Sequence, residues 1–515
     1  MIELHYPYYR NLVNMLGYRP GTYLMPLKIP VTNMEWPGLC NPSVFLDWDV
    51  MRLVIRNVNY ILHNSIDPYK CWSSWGPVHY LIPQWDSHLK TRNWLMVYSD
   101  GCKDHKLIDT STLDKEPQWD FVGLEDVRLV RWDGKLLAIG VRRDDNTDGK
   151  GRMEVSEIDE SGKELSRFKI EVPWESYCEK NWVPIIDMPW HFMRTSNPVC
   201  IVKINPNHIR DGLVEAEKVI EKDWYDISGV PGIYNAPWQG GTLFRGSSQV
   251  IPYKDDMHIA LVHTCELYFN EMKRKVAKYL HHFVVWDKDW NIYKISPAFS
   301  FNDHHIEFSN GMAYKDGRFY IPFALQDNFS YMLEVSEKDM DEIINGTFNG
   351  SERVDFLPNG SEYMMIGNFN NSEQHALWCM NNGYLGEAYC RFWRLWELSG
   401  KYPVSPETQN RYLLGVMRSC GWGIRDNEVY NVISLLEERC CDNPEILAMI
   451  AQYFDNAGKL GLARTWLTRA MKVYDEDHIF IYITKDEFKK IKNNIEKNDF
   501  QLLPVNEYKQ IERVL

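Results

Sequence analysis

Residues 121–144 read FVGLEDVRLVRWDGKLLAIGVRRD, and they show most clearly the pattern that predicts the fold. Apolar residues alternate with other residues on both sides of Asp133-Gly134, a dipeptide that favours a tight hairpin turn. Period-two alternation around such a turn predicts two antiparallel strands. The stretch also carries adjacent acids, Glu125 and Asp126, which a simple hairpin does not require.

Other segments repeat this order of polar cluster, short strand, turn and second strand. Examples are NPSVFLDWDVMRLVIRNVNY from Asn41, SQVIPYKDDMHIALVHT from Ser248 and GMAYKDGRFYIPFAL from Gly311. Polar clusters open five such units at intervals of roughly 60–80 residues. They begin near Asn41, Glu125, Glu179, Arg245 and Glu307. In a propeller the innermost strand of each blade lies at the axis, so these clusters would meet there. We therefore predict a five-bladed β-propeller catalytic domain over residues 1–345, with a two-sheet sandwich as the alternative.

Helical patterns are scarce in this region and dominate the end of the chain. The clearest exception is residues 212–222 (GLVEAEKVIEK), whose spacing predicts a helical excursion in a loop. Residues 346–372 are rich in Gly, Asn and Ser, which predicts a linker or closing segment. Residues 373–475 contain the small and large residues of a tetratricopeptide-like helical domain. A C-terminal helix and tail are expected at 476–515.

Composition narrows the classes of function. The chain is 44% hydrophobic and 25% charged, as in a globular protein, and it has no run of about 18 apolar residues and no basic-plus-apolar leader. Its 11 cysteines form no C-x-x-C pair, which indicates reduced thiols and no zinc site. A formal charge of -14 disfavours nucleic acid as a partner. We expect a cytoplasmic protein without membrane contact, metal or organic cofactor, and an aromatic content of 14% suits a carbohydrate partner.

The charges of the opening stretch have two explanations. Side-chain alternation along a strand predicts Asp126 and Arg128 on one face and Glu125 on the other. The charges then form either a salt bridge between neighbouring sheets or part of a substrate site at the axis. Likewise, residues 141–144 (VRRD) predict either a positive wall of that site or a surface arginine pair bonded to Asp144.

Residues 123–128, GLEDVR, resemble the G-x-E-D-P-R signature of glycoside hydrolase family 130. Members of that family are five-bladed propellers and include inverting β-mannoside phosphorylases, hydrolases and related mannosyltransferases. Further segments resemble family motifs in the same order, namely EKNWVPI from Glu179, HIALVHT from His258, YLHHFVVWDKDW from Tyr279, IEFSNGM from Ile306 and FALQDNFSYM from Phe323. The resemblance covers about residues 40–335. Val127 replaces the signature proline and Thr264 replaces a glycine, which leaves the donor sugar and the phosphate requirement open.

The resemblance implies that Asp126 donates a proton to the departing glycosidic oxygen, with Glu125 beside it in the catalytic motif. Such a donor must be protonated, whereas Arg128 would lower the pKa of Asp126 unless this arginine pairs elsewhere. The matched clusters also supply candidate substrate- or phosphate-binding residues. These are Asn41, Arg56, Arg128, Lys180, Arg245, Ser247, His263, Glu307 and Asp327.

The charged residues that each reaction needs distinguish three possible reactions: phosphorolysis, hydrolysis and transfer from a nucleotide sugar. A phosphorylase binds inorganic phosphate or a sugar phosphate in a cationic cradle, here Lys180, Arg245 and His263. An inverting hydrolase needs a second carboxylate to activate water. Candidates for it are Glu179, Glu307 and Asp327. A nucleotide-sugar-dependent transferase also needs basic residues, and the helical repeats suit a polymer or protein acceptor. Because basic residues outnumber spare acids, we favour phosphorolysis or synthesis of a β-mannoside-like glycoside; a glycan-binding scaffold is the non-enzymatic alternative.

Overall fold

The computed structural model describes, with short gaps, residues 8–63, 79–81, 88–232, 244–349 and 373–497. The chain forms two compact units, Met1–Pro358 and Asn359–Leu515. Most of the predicted linker (350–372) and the end of the predicted tail (498–515) lie outside the described residues.

The first unit is built mainly from strands. They are β1 (Tyr23–Pro26), β2 (Gly38–Asp47), β3 (Val50–Val58), β4 (Ile61–His63), β5 (His79–Leu81), β6 (Leu89–Tyr98), β7 (Cys102–Leu107), β8 (Phe121–Val122), β9 (Glu125–Trp132), β10 (Lys135–Arg142), β11 (Arg152–Ile158), β12 (Glu164–Glu171), β13 (Val183–Pro184), β14 (His191–Ser196), β15 (Val199–Ile204), β16 (Leu213–Glu221), β17 (Arg245–Gly246), β18 (Ile251–Tyr253), β19 (Met257–Phe269), β20 (Lys275–Trp286), β21 (Ile292–Ile295), β22 (Glu307–Phe308), β23 (Ala313–Lys315), β24 (Arg318–Leu325) and β25 (Phe329–Ser336). Two helices, α1 (Leu12–Leu16) and α2 (Glu337–Asn345), accompany them.

The strands form five antiparallel blades, which confirms a propeller-like fold. Blade 1 has the order β2-β3-β6-β7, blade 2 is β9 to β12, and blade 3 is β13 to β16. In blade 4, β17 and β18 pair with β19, followed by β20 and β21. In blade 5, β22 and β23 pair with β24, followed by β25 and β1. Because the N-terminal β1 pairs with β25, the two ends of the β region are held in one sheet. Blades 2 and 3 are also joined at their outer strands, where β12 pairs in parallel with β16.

The hairpins predicted from Asn41, Glu125, Ser248 and Gly311 are confirmed as β2–β3, β9–β10, β18–β19 and β23–β24. The helix predicted at 212–222 is wrong, because this segment forms strand β16. Its buried residues Val214 and Ala216 are two positions apart, and the strand pairs with both β12 and β15. Pairing on two edges outweighs the helix-forming tendency of the Glu, Ala and Lys residues.

The first strands of the blades approach one another closely at the axis. A Cβ atom on Gly246 would lie 2.4 Å from the Asn181 carbonyl oxygen, and one on Gly311 would lie 2.2 Å from the Val44 nitrogen. Only glycine permits this approach. The buried amide of Gln249 in blade 4 donates to the carbonyls of Val44 in blade 1 (3.1 Å) and Leu129 in blade 2 (3.0 Å). These contacts bring the beginnings of the five blades together, where the polar clusters lie.

The second unit is helical. Its long helices are α3 (Leu385–Ser399), α4 (Pro406–Ser419), α5 (Asp426–Cys440), α6 (Pro444–Asn456), α7 (Leu460–Val473) and α8 (Lys485–Lys497). Helices α3 and α4 pack together, as do α6 and α7. Helix α8 buries Phe488, Ile491 and Ile495 and contacts α6 and α7, so it is packed along one face. The helical character is confirmed, whereas the tetratricopeptide assignment stays a prediction. None of the helices that the structure describes is long and apolar enough to cross a membrane.

Candidate active site at the propeller axis

Glu125 and Asp126 begin β9, and both carboxylates contact the guanidinium of Arg56. The distances are 2.7 Å from Arg56 Nη2 to Glu125 Oε1 and 3.1 Å from Arg56 Nη1 to Asp126 Oδ1. Asp126 has a φ of 56°, and the pairing of β9 with β10 shifts register beside Gly140. This bulge interrupts the alternation of side chains. The prediction that the two acids lie on opposite faces was therefore wrong.

Arg56 lies in β3 and is buried. Besides the two acids it donates to the Tyr60 hydroxyl (3.1 Å) and the Thr91 hydroxyl (3.0 Å). A buried guanidinium is tolerated only when it is paired and hydrogen-bonded, and here its donors have partners. Arg56 thus neutralises much of the negative charge of the motif.

The carboxyl of Asp126 is held in its ionised form. Burial alone would raise its pKa, but the charges of Arg56, Lys180 and Arg128 outweigh burial and lower it below its ordinary value. The Asn41 amide also donates to Asp126 Oδ1 at 2.5 Å, which stabilises the charged form.

Arg128 pairs with backbone carbonyls and not with the carboxylate of Asp126, although its charge still acts on that carboxylate. It is fully buried and donates to the carbonyls of Asp126 (2.7 Å), Ser247 (2.9 Å) and Gly246 (3.2 Å). Burial lowers the pKa of Arg128 to about 10. Because these three hydrogen bonds go to backbone carbonyls of blades 2 and 4, Arg128 fixes the backbone of the site.

Asp327 is a third acid near the same charges, on the turn between β24 and β25 in blade 5. Burial raises its pKa to about 6; the negative charges of Asp126 and Glu125 add to this, and Arg56 opposes it. Its side chain is partly exposed and makes no hydrogen bond to another described residue. Gly38 allows the close approach of this turn, because a Cβ there would lie 2.9 Å from the Asp327 carbonyl oxygen. Asp327 is therefore the acid of this group best able to keep a proton near neutral pH.

The cations Lys180 and Arg245 lie on the side of blades 3 and 4. Lys180 is exposed and Arg245 is half-buried, and neither forms an ion pair with another residue in the described part of the chain. Both lie near His263, which faces Arg245 across the pairing of β17 with β19. Two unpaired cations at the axis are available to an anionic ligand.

His263 has a different character from the cation predicted. Burial lowers its pKa well below the ordinary value, and the charges of His281 and Arg245 lower it further. The ring stacks on Tyr279 with 5.4 Å between centroids, and its Nδ1 lies 2.8 Å from the Ser247 hydroxyl. Both Ser247 and His263 are therefore engaged with each other, and the neutral imidazole adds no positive charge to an anion site.

Two further candidate acids are fully occupied by protein groups. The carboxylate of Glu179 bonds the Arg194 guanidinium (3.0 Å) and the indole nitrogens of Trp174 and Trp182 (both 2.9 Å). The carboxylate of Glu307 accepts the backbone amides of Phe301 (2.5 Å) and Asn302 (2.8 Å). A carboxylate with such partners is poorly placed to activate water.

The two arginines of the VRRD segment have different surroundings, and they do not form the surface pair that was one of the two alternatives. Arg142 is buried and bonds Glu154 (2.7 Å) and Asp144 (3.4 Å), and Asp144 in turn accepts the Gly123 amide at 3.0 Å. Arg143 instead turns toward the site, with its Nε 3.9 Å from Glu125 Oε2. Side-chain alternation, continued one residue beyond the end of β10, was the signal that could have separated the two arginines. No sequence signal pointed to Thr91 or Tyr60 as partners of Arg56.

Neither the family models nor the curated proteins searched contain a match to this chain. Solved structures do match. The β-1,2-mannobiose phosphorylase from Listeria innocua is 11% identical and matches over 66% of this chain and 99% of its own, with a TM-score of 0.39. Two Leishmania mexicana proteins match with TM-scores of 0.36. The mannose phosphorylase MPT-4 is 9% identical over 63% of this chain and 91% of its own. The GDP-Man-dependent mannosyltransferase MPT-1 is 11% identical over 61% and 90%. These neighbours are carbohydrate-active enzymes.

Proposed function

We propose that this protein is a carbohydrate-active enzyme that transfers a glycosyl unit, with inversion, between a sugar hydroxyl and phosphate or a phosphorylated donor. The observation that carries the proposal is the meeting of acids and cations at the axis. Glu125, Asp126 and Asp327 come from blades 2 and 5. Lys180 and Arg245, which form no ion pair with another described residue, come from blades 3 and 4, and the charge of Lys180 acts on both Asp126 and Asp327.

This combination of acids and cations suits displacement at an anomeric carbon. In phosphorolysis a phosphate oxygen bonds to that carbon as the bond to the glycosidic oxygen breaks, and the departing oxygen takes a proton. Inversion requires attack and departure on opposite faces of the ring. Lys180 and Arg245 would bind the phosphate, and Asp327, whose pKa is raised, would supply the proton. In synthesis Asp327 takes the proton of the acceptor hydroxyl as phosphate leaves.

Asp126 then has a different role from the one that the GLEDVR motif implies. Arg56 and Asn41 hold its carboxylate ionised, so its pKa opposes direct proton donation. An ionised carboxylate fixed by two neighbours is a strong acceptor for the hydroxyls of a bound sugar. We therefore assign Asp126 to orienting the sugar.

Hydrolysis has less support than transfer. Of the three spare acids, Glu179 and Glu307 are occupied by protein donors, and Asp327 is needed as the proton donor. No described carboxylate among these candidates remains to activate water. A mannosyl substrate is proposed only on the resemblance of residues 123–128.

A substrate screen tests this function. Sugar 1-phosphates and nucleotide sugars are offered with a panel of sugar acceptors, while release of phosphate or nucleotide is measured. The double variant Lys180→Met/Arg245→Met should lose most phosphate-dependent turnover, and Lys203→Met, an exposed lysine of blade 3, should keep it. Full turnover in the double variant refutes the anion site. Free sugar released from glycosides without phosphate identifies a hydrolase, and glycan binding without any turnover identifies a scaffold.

A further inference from the structure

Arg143 connects Glu125 of the catalytic motif to residues outside that motif. Its Nε lies 3.9 Å from Glu125, and its Nη2 lies 3.3 Å from the Cys178 sulfur. The guanidinium also lies 5.8 Å from the centre of the Phe121 ring. A continuous surface therefore leads from the catalytic motif to the segment around Cys178.

Tyr177 stands at the outer end of this surface. Its hydroxyl donates to the Asp148 carbonyl at 3.1 Å, and Arg143 donates to the carbonyl of the next residue, Gly149, at 3.5 Å. Arg143 and Tyr177 are thus anchored on the same loop. Arg152 holds the backbone of the tyrosine segment through the Tyr177 carbonyl at 3.3 Å.

The Tyr177 ring is exposed although its position is fixed. The residue is 52% exposed, so its apolar ring is not stabilised by burial, while its hydroxyl is restrained by Asp148. A restrained, exposed aromatic side chain loses little conformational entropy when it binds a ligand. Aromatic rings combine a broad apolar face with a polar edge, which matches the C–H faces and hydroxyls of sugars.

The position of the proposed proton donor places the acceptor on this side. Asp327 has to lie beside the glycosidic oxygen, and the charges of Asp126 and Glu125 act on the same carboxyl, so this oxygen lies among the acids. The sugar attached through that oxygen then extends past Glu125 toward Arg143. Arginine offers several N–H donors to its hydroxyls.

We propose that Phe121, Arg143 and Tyr177 form an acceptor subsite for a carbohydrate of at least two sugar units, with the outer unit against the Tyr177 ring. This subsite rests on the proposed function, because that reaction fixes the side from which the acceptor enters. It makes Tyr177 a determinant of acceptor length.

Acceptor length is the readout that tests the subsite. We expect Tyr177→Ala to lower kcat/KM for di- and trisaccharide acceptors about tenfold, mainly through KM, which corresponds to about 1.4 kcal/mol of binding. Monosaccharide acceptors should change less than about twofold. Tyr177→Phe keeps the ring and should stay close to the wild type. Tyr293→Ala removes a similarly exposed tyrosine from β21 and serves as the matched control.

Equal losses for all acceptor lengths, or no loss with the longer ones, would overturn the subsite. If the wild type turns over none of the donors, the proposed function fails, and binding of the same oligosaccharides by ligand-observed NMR then tests the surface alone. Binding that Tyr177→Ala abolishes and Tyr293→Ala preserves supports the subsite. Oligosaccharide binding that is absent in the wild type, or unchanged in Tyr177→Ala, refutes it.

Discussion

Replacing Asp327 by Asn should stabilise the protein at alkaline pH and leave its stability unchanged in acid. The pKa of Asp327 is raised from 3.8 to about 6, because burial and the neighbouring carboxylates of Asp126 and Glu125 disfavour its charge. The folded state therefore binds this proton more tightly than the unfolded state. Stability falls as pH rises from about 4 to about 6, and above that the full cost of the charge remains.

The size of the effect follows from the same shift. A change of about two pKa units corresponds to about 3 kcal/mol. Because the side chain is partly exposed, solvent screens part of this cost, and we expect a gain of about 1–2 kcal/mol for Asp327→Asn near pH 8. Asparagine also tolerates the left-handed φ of 51° at this position.

Urea unfolding followed by tryptophan fluorescence measures the gain at about pH 8 and about pH 4. The matched control is Asp316→Asn, a left-handed but exposed aspartate on the β23–β24 turn, which should change stability little at either pH. A gain of the same size at both pH values would show that ionisation is not its cause. A loss of stability near pH 8 would refute the electrostatic account of Asp327. The stabilised variant should also lose turnover, since it lacks the proposed proton donor.

Four other substitutions test separate parts of the structure. Arg56→Met should cost about 3–5 kcal/mol near pH 8 and less near pH 5, measured by urea unfolding, because it removes the partner of Glu125 and leaves the buried Asp126 carboxylate unpaired until it is protonated. Trp48→Gly should stabilise the protein by roughly 0.5–1 kcal/mol, because Trp48 is 85% exposed and has a φ of 58°. Trp190→Gly should instead cost about 3–5 kcal/mol of stability, because Trp190 has a similar φ of 64° but is buried. Equal effects at the two tryptophan sites would contradict this reasoning. Glu445→Ala should lower the free energy of unfolding of the helical unit by about 2–4 kcal/mol, because this buried carboxylate accepts the backbone amides of residues 481–483. Unchanged hydrogen exchange at those amides would refute the anchoring role of Glu445.

The hairpins and the convergence of the clusters were predictable because their causes are local. Asp133-Gly134 dictates a turn through its own backbone preferences, and alternation dictates which residues face the core. Once several such hairpins repeat, only a few architectures place their polar beginnings together. The sequence therefore predicted that Asp126, Lys180 and Asp327 would share one region.

The details of the site depend on contacts that the sequence does not display. The left-handed Asp126 and the bulge beside Gly140 decide that one guanidinium serves two acids. The segment 212–222 becomes a strand only because β12 and β15 lie on either side of it. Likewise, Glu307 looks like a spare acid in the sequence, and only the folded chain brings two backbone amides to it.

The distribution of charge explains why the three acids at the axis differ although they share one environment. Arg56 lies between Glu125 and Asp126 and offers each a direct bond, and its charge helps to keep the pKa of Asp126 below its ordinary value. The negative charge of these two acids acts on Asp327, which forms no such bond within the described part of the chain and whose pKa rises. Groups whose environments push their pKa values apart are suited to different tasks in one reaction. The same arginine that makes Asp126 a poor proton donor therefore helps to make Asp327 a good one.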